Sequence, residues 1–574
     1  MKVSIVNGQF ASVNTCKGQH ISVERVSVFL RQHPLQTRPV GCPRTAALVL
    51  APFRSWQQRL DQFPLRLTQQ LKPLLAHARS SSNCRHLAEV LSLRPNLFMK
   101  HALSIAFISL GLACSTQASA QDSGNASAPQ QAYPVASAES SDASQSAPSQ
   151  GKDVPPQPES GWYNPALSAK LSTMGLKNWG TLSPNFGDPL LGNAGGIRSK
   201  LADHGIAGMV VFDGTVWQNL LSEPSQTDGV QAYIGQKFTN TEVIGVVGTY
   251  DLGHIGLKGA QIGLDADVHQ SSDVNASPRG FDIIDFSLYY PLFGGKIEVG
   301  AGLIPNDVEY VNIYVAGNIQ TGAFGPTASL PSQAGLSLQP STAPALNVTS
   351  HLTKNWYDKI GVQRSLSPQG IVADWSKINK HGVTFSEPFA KALVVDELGF
   401  TRPASTEHRS SNFRVGGLYN WSDYTNFNTG KFAPNWNVYL LGDQQLTRTS
   451  PTMPFRGLYG GFTVMDSPAN VNVFRQDYEL RLYDIGHFSS RPFDVGSLVV
   501  THSSFSRDAR QATIFGGGYP PPTDTTSVTG SYAFKLAHGT YLLPVFSYTA
   551  HPSFVTAPKE GNALNFILTL TTFM

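Results

Sequence analysis

Beyond residue 120 the chain contains no cysteine; Cys16, Cys42, Cys84 and Cys114 all precede that point. This excludes a disulfide framework and any thiolate metal site from the larger part of the protein. It also suits a chain that crosses an oxidising compartment before folding. Long apolar runs are missing too. A helical membrane protein needs stretches of roughly 18 or more apolar residues, and the one candidate, within residues 99–120, falls short. Charged residues are scarce at 14%, beside 10% aromatics. A chain disordered throughout would show the opposite balance.

Catalytic signatures are equally absent. Histidines are scattered past residue 120, but no His-Glu-x-x-His pair occurs. There is no Gly-x-Ser-x-Gly elbow and no glycine loop with Lys to cradle a phosphate. Scattered carboxylates could in principle supply a glycosidase pair, yet no spacing singles one out. No catalytic residue, metal set or cofactor is expected.

The formal net charge of +3 conceals two unlike parts. Residues 1–98 hold ten Arg and three Lys against Glu24, Asp61 and Glu89, whereas 28 basic and 36 acidic residues follow position 120. No basic footprint for nucleic acid survives in the acidic part. Between the two lies a secretory signal. Lys100 and His101 start it, an apolar stretch runs from Ala102 to Ala113, and Ala118-Ser119-Ala120 supplies the small residues of a cleavage site. Met99 is then the expected start, residues 1–98 an upstream extension outside the mature protein, and Gln121 the first mature residue. Residues 121–160 contain no Leu, Ile, Phe, Met or Trp. Such a segment cannot bury enough apolar area to offset chain entropy, so a disordered linker is expected.

From Trp162 the composition turns to glycine, aromatics and β-branched residues, and a short helix is predicted over 197–204. Period two then dominates. In residues 261–270, Ile262, Leu264, Ala266 and Val268 share one face, opposite Asp265, Asp267 and His269. Phe413, Val415, Tyr419 and Trp421 likewise oppose Asn412, Arg414 and Asn420, and Tyr478, Leu480 and Leu482 oppose Asp477, Glu479, Arg481 and Tyr483. Turns such as Phe293-Gly294-Gly295-Lys296 and His538-Gly539-Thr540 separate the runs.

Any antiparallel sheet with one wet face alternates in this way, a soluble sandwich or propeller included. Three features point to a membrane instead. The strand-like runs continue to the end of the chain without a helical domain between them. Aromatics gather near strand ends, as Tyr289, Tyr290 and Phe293 do. The last segment alternates as well, with Leu564, Phe566, Leu568, Leu570 and Met574 in register. In lipid an unpaired backbone group costs several kcal/mol, so a spanning sheet must close on itself. The expected fold is all-β: a transmembrane antiparallel β-barrel over residues 161–574, on the order of 16 strands around an aqueous lumen.

Several short segments, in order, resemble the carbohydrate-selective porins of the OprB type. Gly195-Gly196-Ile197-Arg198-Ser199-Lys200-Leu201-Ala202-Asp203-His204-Gly205-Ile206 is similar to the segment before that family's first strand. Tyr290-Pro291-Leu292-Phe293-Gly294-Gly295-Lys296 resembles its early hairpin, and Glu397-Leu398-Gly399-Phe400 and Tyr439-Leu440-Leu441-Gly442-Asp443-Gln444-Gln445 resemble later strands. Gly457-Leu458-Tyr459, Gly486, Arg491-Pro492-Phe493-Asp494, Pro544, Tyr548, Pro552 and Asn562-Ala563-Leu564 fall in the family's order. The departures are Ala194 in place of a usual Trp, Ser547 in place of a common Gln, and a chain closing on Phe573-Met574 rather than on Phe. The resemblance implies passive conduction of monosaccharides and similar small solutes across the outer membrane of a Gram-negative bacterium.

Such transport needs donors and acceptors along a wet path, held weakly enough for release. The candidates are Asp213, Asp265, Asp267, Glu298, Arg414, Asp443, Glu479 and Arg481, with Trp217 offering a ring to a pyranose. Arg414 and Arg481 lead, because guanidinium groups present several fixed donors. The bland alternative is that such charges only hold water or pair across the sheet, as Glu479 and Arg481 could. A long Gly-, Pro-, Ser- and Ala-rich loop over 321–353 is expected to fold inward and narrow the pore. Expected partners are carbohydrate solutes, outer-membrane lipid and the barrel assembly machinery, with the barrel working as a monomer or a homotrimer. The rival classes are an outer-membrane barrel enzyme such as a lipid hydrolase, and a secreted β-rich carbohydrate-binding protein.

Overall fold

The computed structural model describes residues 3–6, 9–12, 165–177, 186–221, 231, 233–273, 279–313, 329–516, 518, 522–552 and 561–574. The expected signal peptide and linker lie outside these residues. Val3–Val6 and Gln9–Ser12 pair as a short antiparallel hairpin.

Sixteen strands make one closed wall. They are β1 Ile206–Asn219, β2 Thr239–Asp251, β3 Gln261–Ser271, β4 Gly280–Leu292, β5 Ile297–Ile304, β6 Ala343–His351, β7 Trp356–Arg364 and β8 Ala392–Arg402. The second half comprises β9 Ser411–Thr425, β10 Phe432–Gln445, β11 Gly457–Asp466, β12 Phe474–Ile485, β13 Val495–Phe505, β14 Asp524–Ala537, β15 Thr540–Ala550 and β16 Ala563–Phe573. Each strand pairs antiparallel with its neighbours in sequence, and β16 closes on β1 through Asn565↔Asn219 to Phe573↔Val211. Met574 extends this seam by exchanging two backbone hydrogen bonds with Val210. The terminal Met therefore completes the pairing without disturbing it.

The alternation has the expected sense. Val246, Leu264, Val415, Leu440, Leu480, Leu498 and Phe546 are exposed on the outer face, while Asp265, Arg414, Asp443, Glu479 and Arg481 are buried on the inner one. A soluble sheet buries its apolar side, so this inversion identifies a barrel with lipid outside and water within. Closure leaves no wall strand with a bare edge along its paired length.

The two ends of the barrel differ. At the end that carries both termini of the wall, short turns connect the strands. Phe293, Gly294 and Gly295 all take positive φ in one of them, which the two glycines permit without strain. The opposite end carries the long connections 305–342, 365–391 and 506–523. The predicted inward loop begins earlier and ends sooner than 321–353, because residues 343–351 form β6. Asn347 and Thr349 face inward there and Leu346 and Val348 outward, a period of two hidden in a run of small residues. The predicted helix before the wall is present as Ile197–Asp203.

Candidate functional site

The lumen is narrowed from one side by the connection 305–342, whose described part folds against the inner faces of β7 to β12. Its grip begins with apolar contacts. Tyr310, Leu330, Ala334 and Leu336 pack on Leu393, Val395, Leu418, Tyr439 and Leu441, the inward residues of β8 to β10. Removing large apolar side chains from water is worth about 1.5–3 kcal/mol each. Polar groups then fix the register. Asn306 donates to Gln363 Oε1 at 2.8 Å and accepts from Asn347 at 2.7 Å. Ser337 Oγ donates to the Ile304 carbonyl at 2.8 Å. The Gln333 side chain pairs with the backbone of Val473 and Phe474, and Asn420 donates to the Ala334 carbonyl at 2.7 Å.

Charge completes the attachment. Arg414 Nη1 donates to the Tyr310 carbonyl at 2.8 Å and Nη2 to the Asn312 carbonyl. Glu397 stands behind Arg414 at 3.9 Å and accepts from Tyr357 and Tyr439 at 2.8 and 3.0 Å. Lys359 pairs with Glu309 at 2.7 Å. Burial pushes the carboxyl of Asp307, in the short helix Asp307–Tyr310, up to about 8. Burial also raises Glu309, against the pull of Lys359.

Arg481 serves the wall itself. Its guanidinium bridges Asp443 at 2.9 Å and Glu479 at 2.7 Å, and donates to Thr463 Oγ1 at 2.6 Å and to the carbonyls of Gly442 and Phe462. With its side chain 0% exposed, it ties β10, β11 and β12 together from within.

The facing wall is different. Inward positions of β1 to β4 include Asp213, Asp265, Asp267, Asp282 and Asp285 but no Lys or Arg. Asp213 accepts from Thr215 and Thr571, and Ser287 donates to Asp285 at 2.6 Å. His269 lies 3.8 Å from Asp267 and 3.9 Å from Asp282. Asp265 Oδ1 has no hydrogen-bond partner among the described residues. Trp217 faces inward from β1, packed with Tyr233, Val545, Ala563 and Ile567. Glu298 also faces inward, 3.3 Å from His351.

At the short-turn end, residues 165–177 and 186–204 lie against the inner face of β1 to β3. Leu171, Leu176 and Phe186 pack on Ala207, Met209 and Val247. Thr249 and Gln261 donate to the Met174 carbonyl at 2.7 and 3.0 Å. Arg198 holds the turn by donating to the carbonyls of Phe186 and Gly192, and burial draws its pKa down to about 10. Asp188 anchors this segment to Lys535 and His538.

All nine residues predicted from the alternation therefore face the lumen, in three groups rather than one. Asp443, Glu479 and Arg481 meet directly; Asp213, Asp265 and Asp267 share the acidic wall; Glu298, Arg414 and Trp217 stand apart. Sequence reasoning missed Lys359, Glu397, Gln363 and Asn420. Their only signal is their place on the polar side of an alternating strand, as in Tyr357, Lys359, Gly361 and Gln363. Nothing in the strand itself announces that a distant loop will seat on them.

A closed antiparallel wall, apolar outside and polar inside, with a loop seated in its lumen, defines a porin-type channel. Residues 285–572 match the family model described as carbohydrate-selective porin, OprB family, and the chain belongs to that family. It is thus an outer-membrane carbohydrate channel. No curated protein matches the chain. Its fold is similar to the high-pH structure of OprB from Pseudomonas putida, at 16% identity over 67% of this chain and 98% of that one, with a TM-score of 0.57. The low-pH structure of that protein matches at 14% identity over 67% and 98%, with a TM-score of 0.41. The outer membrane channel DcaP of Acinetobacter baumannii matches at 9% identity over 64% and 97%, with a TM-score of 0.38.

Proposed function

We propose that the protein sits in the outer membrane of a Gram-negative bacterium with its long connections outward, and that monosaccharides diffuse through it passively. The observation that carries this reading is the seated loop. In this reading a polar passage remains between the wall of β7 to β12 and the acidic wall of β1 to β4. Hydroxyl-rich solutes crossing there exchange water for fixed donors and acceptors without tight binding.

Asp213, Trp217, Asp265, Asp267, Glu298, Arg414, Asp443, Glu479 and Arg481 form the lining in this reading. Asp267 and Glu298, whose side chains keep 16% and 26% exposure, meet the solute directly. Arg414 and Arg481 act by holding the loop and the wall in place, since their donors are already engaged. Residues 99–120 serve as signal peptide, 121–160 as tether, and the barrel assembly machinery inserts the product as a monomer or homotrimer.

The test uses the protein purified from outer membranes in detergent. Liposomes containing it should swell faster in glucose than in a trisaccharide, and planar bilayers should show stepwise conductance partly blocked by added glucose. Silent bilayers at ample protein, or equal swelling in both sugars, would overturn the proposal. N-terminal sequencing of the same material should begin at Gln121.

A further inference from the structure

The connection 365–391 does something the pore does not require. Arg364 ends β7 at an outward-facing position, in step with Trp356, Asp358, Ile360 and Val362, yet it is buried. The connection folds over it. Arg364 Nη1 pairs with Glu387 and lies 3.9 Å from Asp374, both of whose side chains are 0% exposed. Its Nη2 donates to the Thr342 carbonyl at 3.1 Å, which Asn379 also reaches at 2.9 Å. A cation that would otherwise face lipid is thereby neutralised.

From there the segment runs along the rim to β4. That strand extends past the last residue pair it makes with β5, Phe286↔Leu303, so its Gly280–Asp285 edge lacks that neighbour. The strap fills the gap. Ile283 N donates to the His381 carbonyl at 3.1 Å, and His381 Nδ1 lies 2.8 Å from the Phe281 carbonyl. Gly382 makes the approach possible. Its φ is +69°, and a Cβ there would stand 2.2 Å from the Ile283 carbonyl oxygen. The strap then returns to β9 and β10, where Asp423 N donates to the Phe389 carbonyl and the Phe389 ring packs on Phe432 at 5.7 Å.

The strap's outward surface combines two chemistries. Val383, Phe385 and Phe389 are exposed, Phe385 at 71%, beside the outward-facing Phe281 and Phe432. Lys377 and Lys380 are exposed too. Neither has a carboxylate at ion-pair distance among the described residues, because Asp374 and Glu387 are engaged by Arg364 and Asp423 by Lys391. Aromatic rings beside unpaired lysines, at the boundary of an apolar wall, match the acyl chains and phosphates of an anionic lipid.

We propose that this rim strap is a docking surface for the phosphorylated glycolipid of the outer leaflet, with Lys377 and Lys380 on its phosphates and Phe385 among its acyl chains. The inference rests on the outward placement of the long connections proposed above. Charge complementarity favours lipid over a second copy of the chain, whose identical strap would bring lysines of its own.

The test titrates the detergent-purified protein with lipid A and reads bound lipid by native mass spectrometry. Parallel recordings are made in bilayers without that lipid. The wild type should bind lipid A, and K377E/K380E should weaken binding roughly tenfold or more, with conductance unchanged. F385S should weaken it less, and K200E, at the opposite end of the barrel, should leave it unchanged. Equal lipid A binding by wild type and K377E/K380E, both conducting, overturns the strap and spares the channel. A wild type that does not conduct overturns the channel reading itself. If K377E/K380E instead converts an oligomer to monomers without altering lipid A binding, the strap is a protein interface and the proposal fails.

Discussion

The two facing walls of the lumen use polar residues in opposite ways. From β7 to β12, every cation has a partner and nearly every amide has an acceptor: Lys359 on Glu309, Arg414 on loop carbonyls, Arg481 between Asp443 and Glu479. From β1 to β4, the aspartates face one another and His269 with no basic residue among them. One wall commits its side chains to holding backbone in place, and on the other the carboxylates meet hydroxyls, His269 and one another. In a channel, then, inward polarity alone does not mark the solute path; what matters is whether the side chain stays exposed in the lumen, as Asp267 does at 16% and Arg481 does not at 0%.

The most severe way to break this contrast is R481A. It strands Asp443 and Glu479 without their common cation, and removing one member of a buried ion cluster costs about 3–5 kcal/mol. The expected readout is a marked fall in the temperature at which the folded gel species is lost. R414A comes next. It removes the donors to the Tyr310 and Asn312 carbonyls and leaves Glu397 without its nearby cation, at a cost of about 2–3 kcal/mol. Single-channel conductance should rise as the loop loosens; a narrower or unchanged pore would show that the loop does not depend on Arg414.

A pH series probes the same loop. Asp307 has a folded-state pKa of about 8, against about 3.9 for a free Asp side chain. A raised pKa means that its contribution to docking is fully present below about pH 4 and is lost as pH rises through 8. Current fluctuations should therefore grow as pH rises from about 4 to about 8, and D307N should remove that growth. The mildest prediction concerns the other wall. D267N should change stability by less than about 1 kcal/mol while shifting the ratio of cation to anion permeability of the open channel downward by up to about twofold. If D267N destabilised the barrel as strongly as R481A, the contrast between the walls would be wrong.

Much of the wall was legible because strand polarity is a local, repeating property. Leu264 and Asp265 declare opposite faces by adjacency alone, and so do Leu480 and Arg481. The segment 343–351 escaped because Ala, Pro and Ser dilute the alternation that Leu346 and Val348 carry. Which inward residues share a cluster was not legible. Arg481 meets Asp443 across an intervening strand, and Arg414 meets Tyr310 across about a hundred residues of chain. Arg364 reads as an ordinary strand end, and only the folded strap makes it the anchor of a buried ion pair.

The amino-acid order by itself determined a sheet with one apolar and one polar face, since side chains on a strand alternate whatever surrounds them. It also determined that the sheet closes, because a two-faced sheet in lipid has no other way to pair its last edge. Only the tertiary structure decided where the long connections come to rest, and with them which lumen charges hold a loop or tie strands together. Those outcomes depend on contacts between residues far apart in the chain, and no local pattern records them.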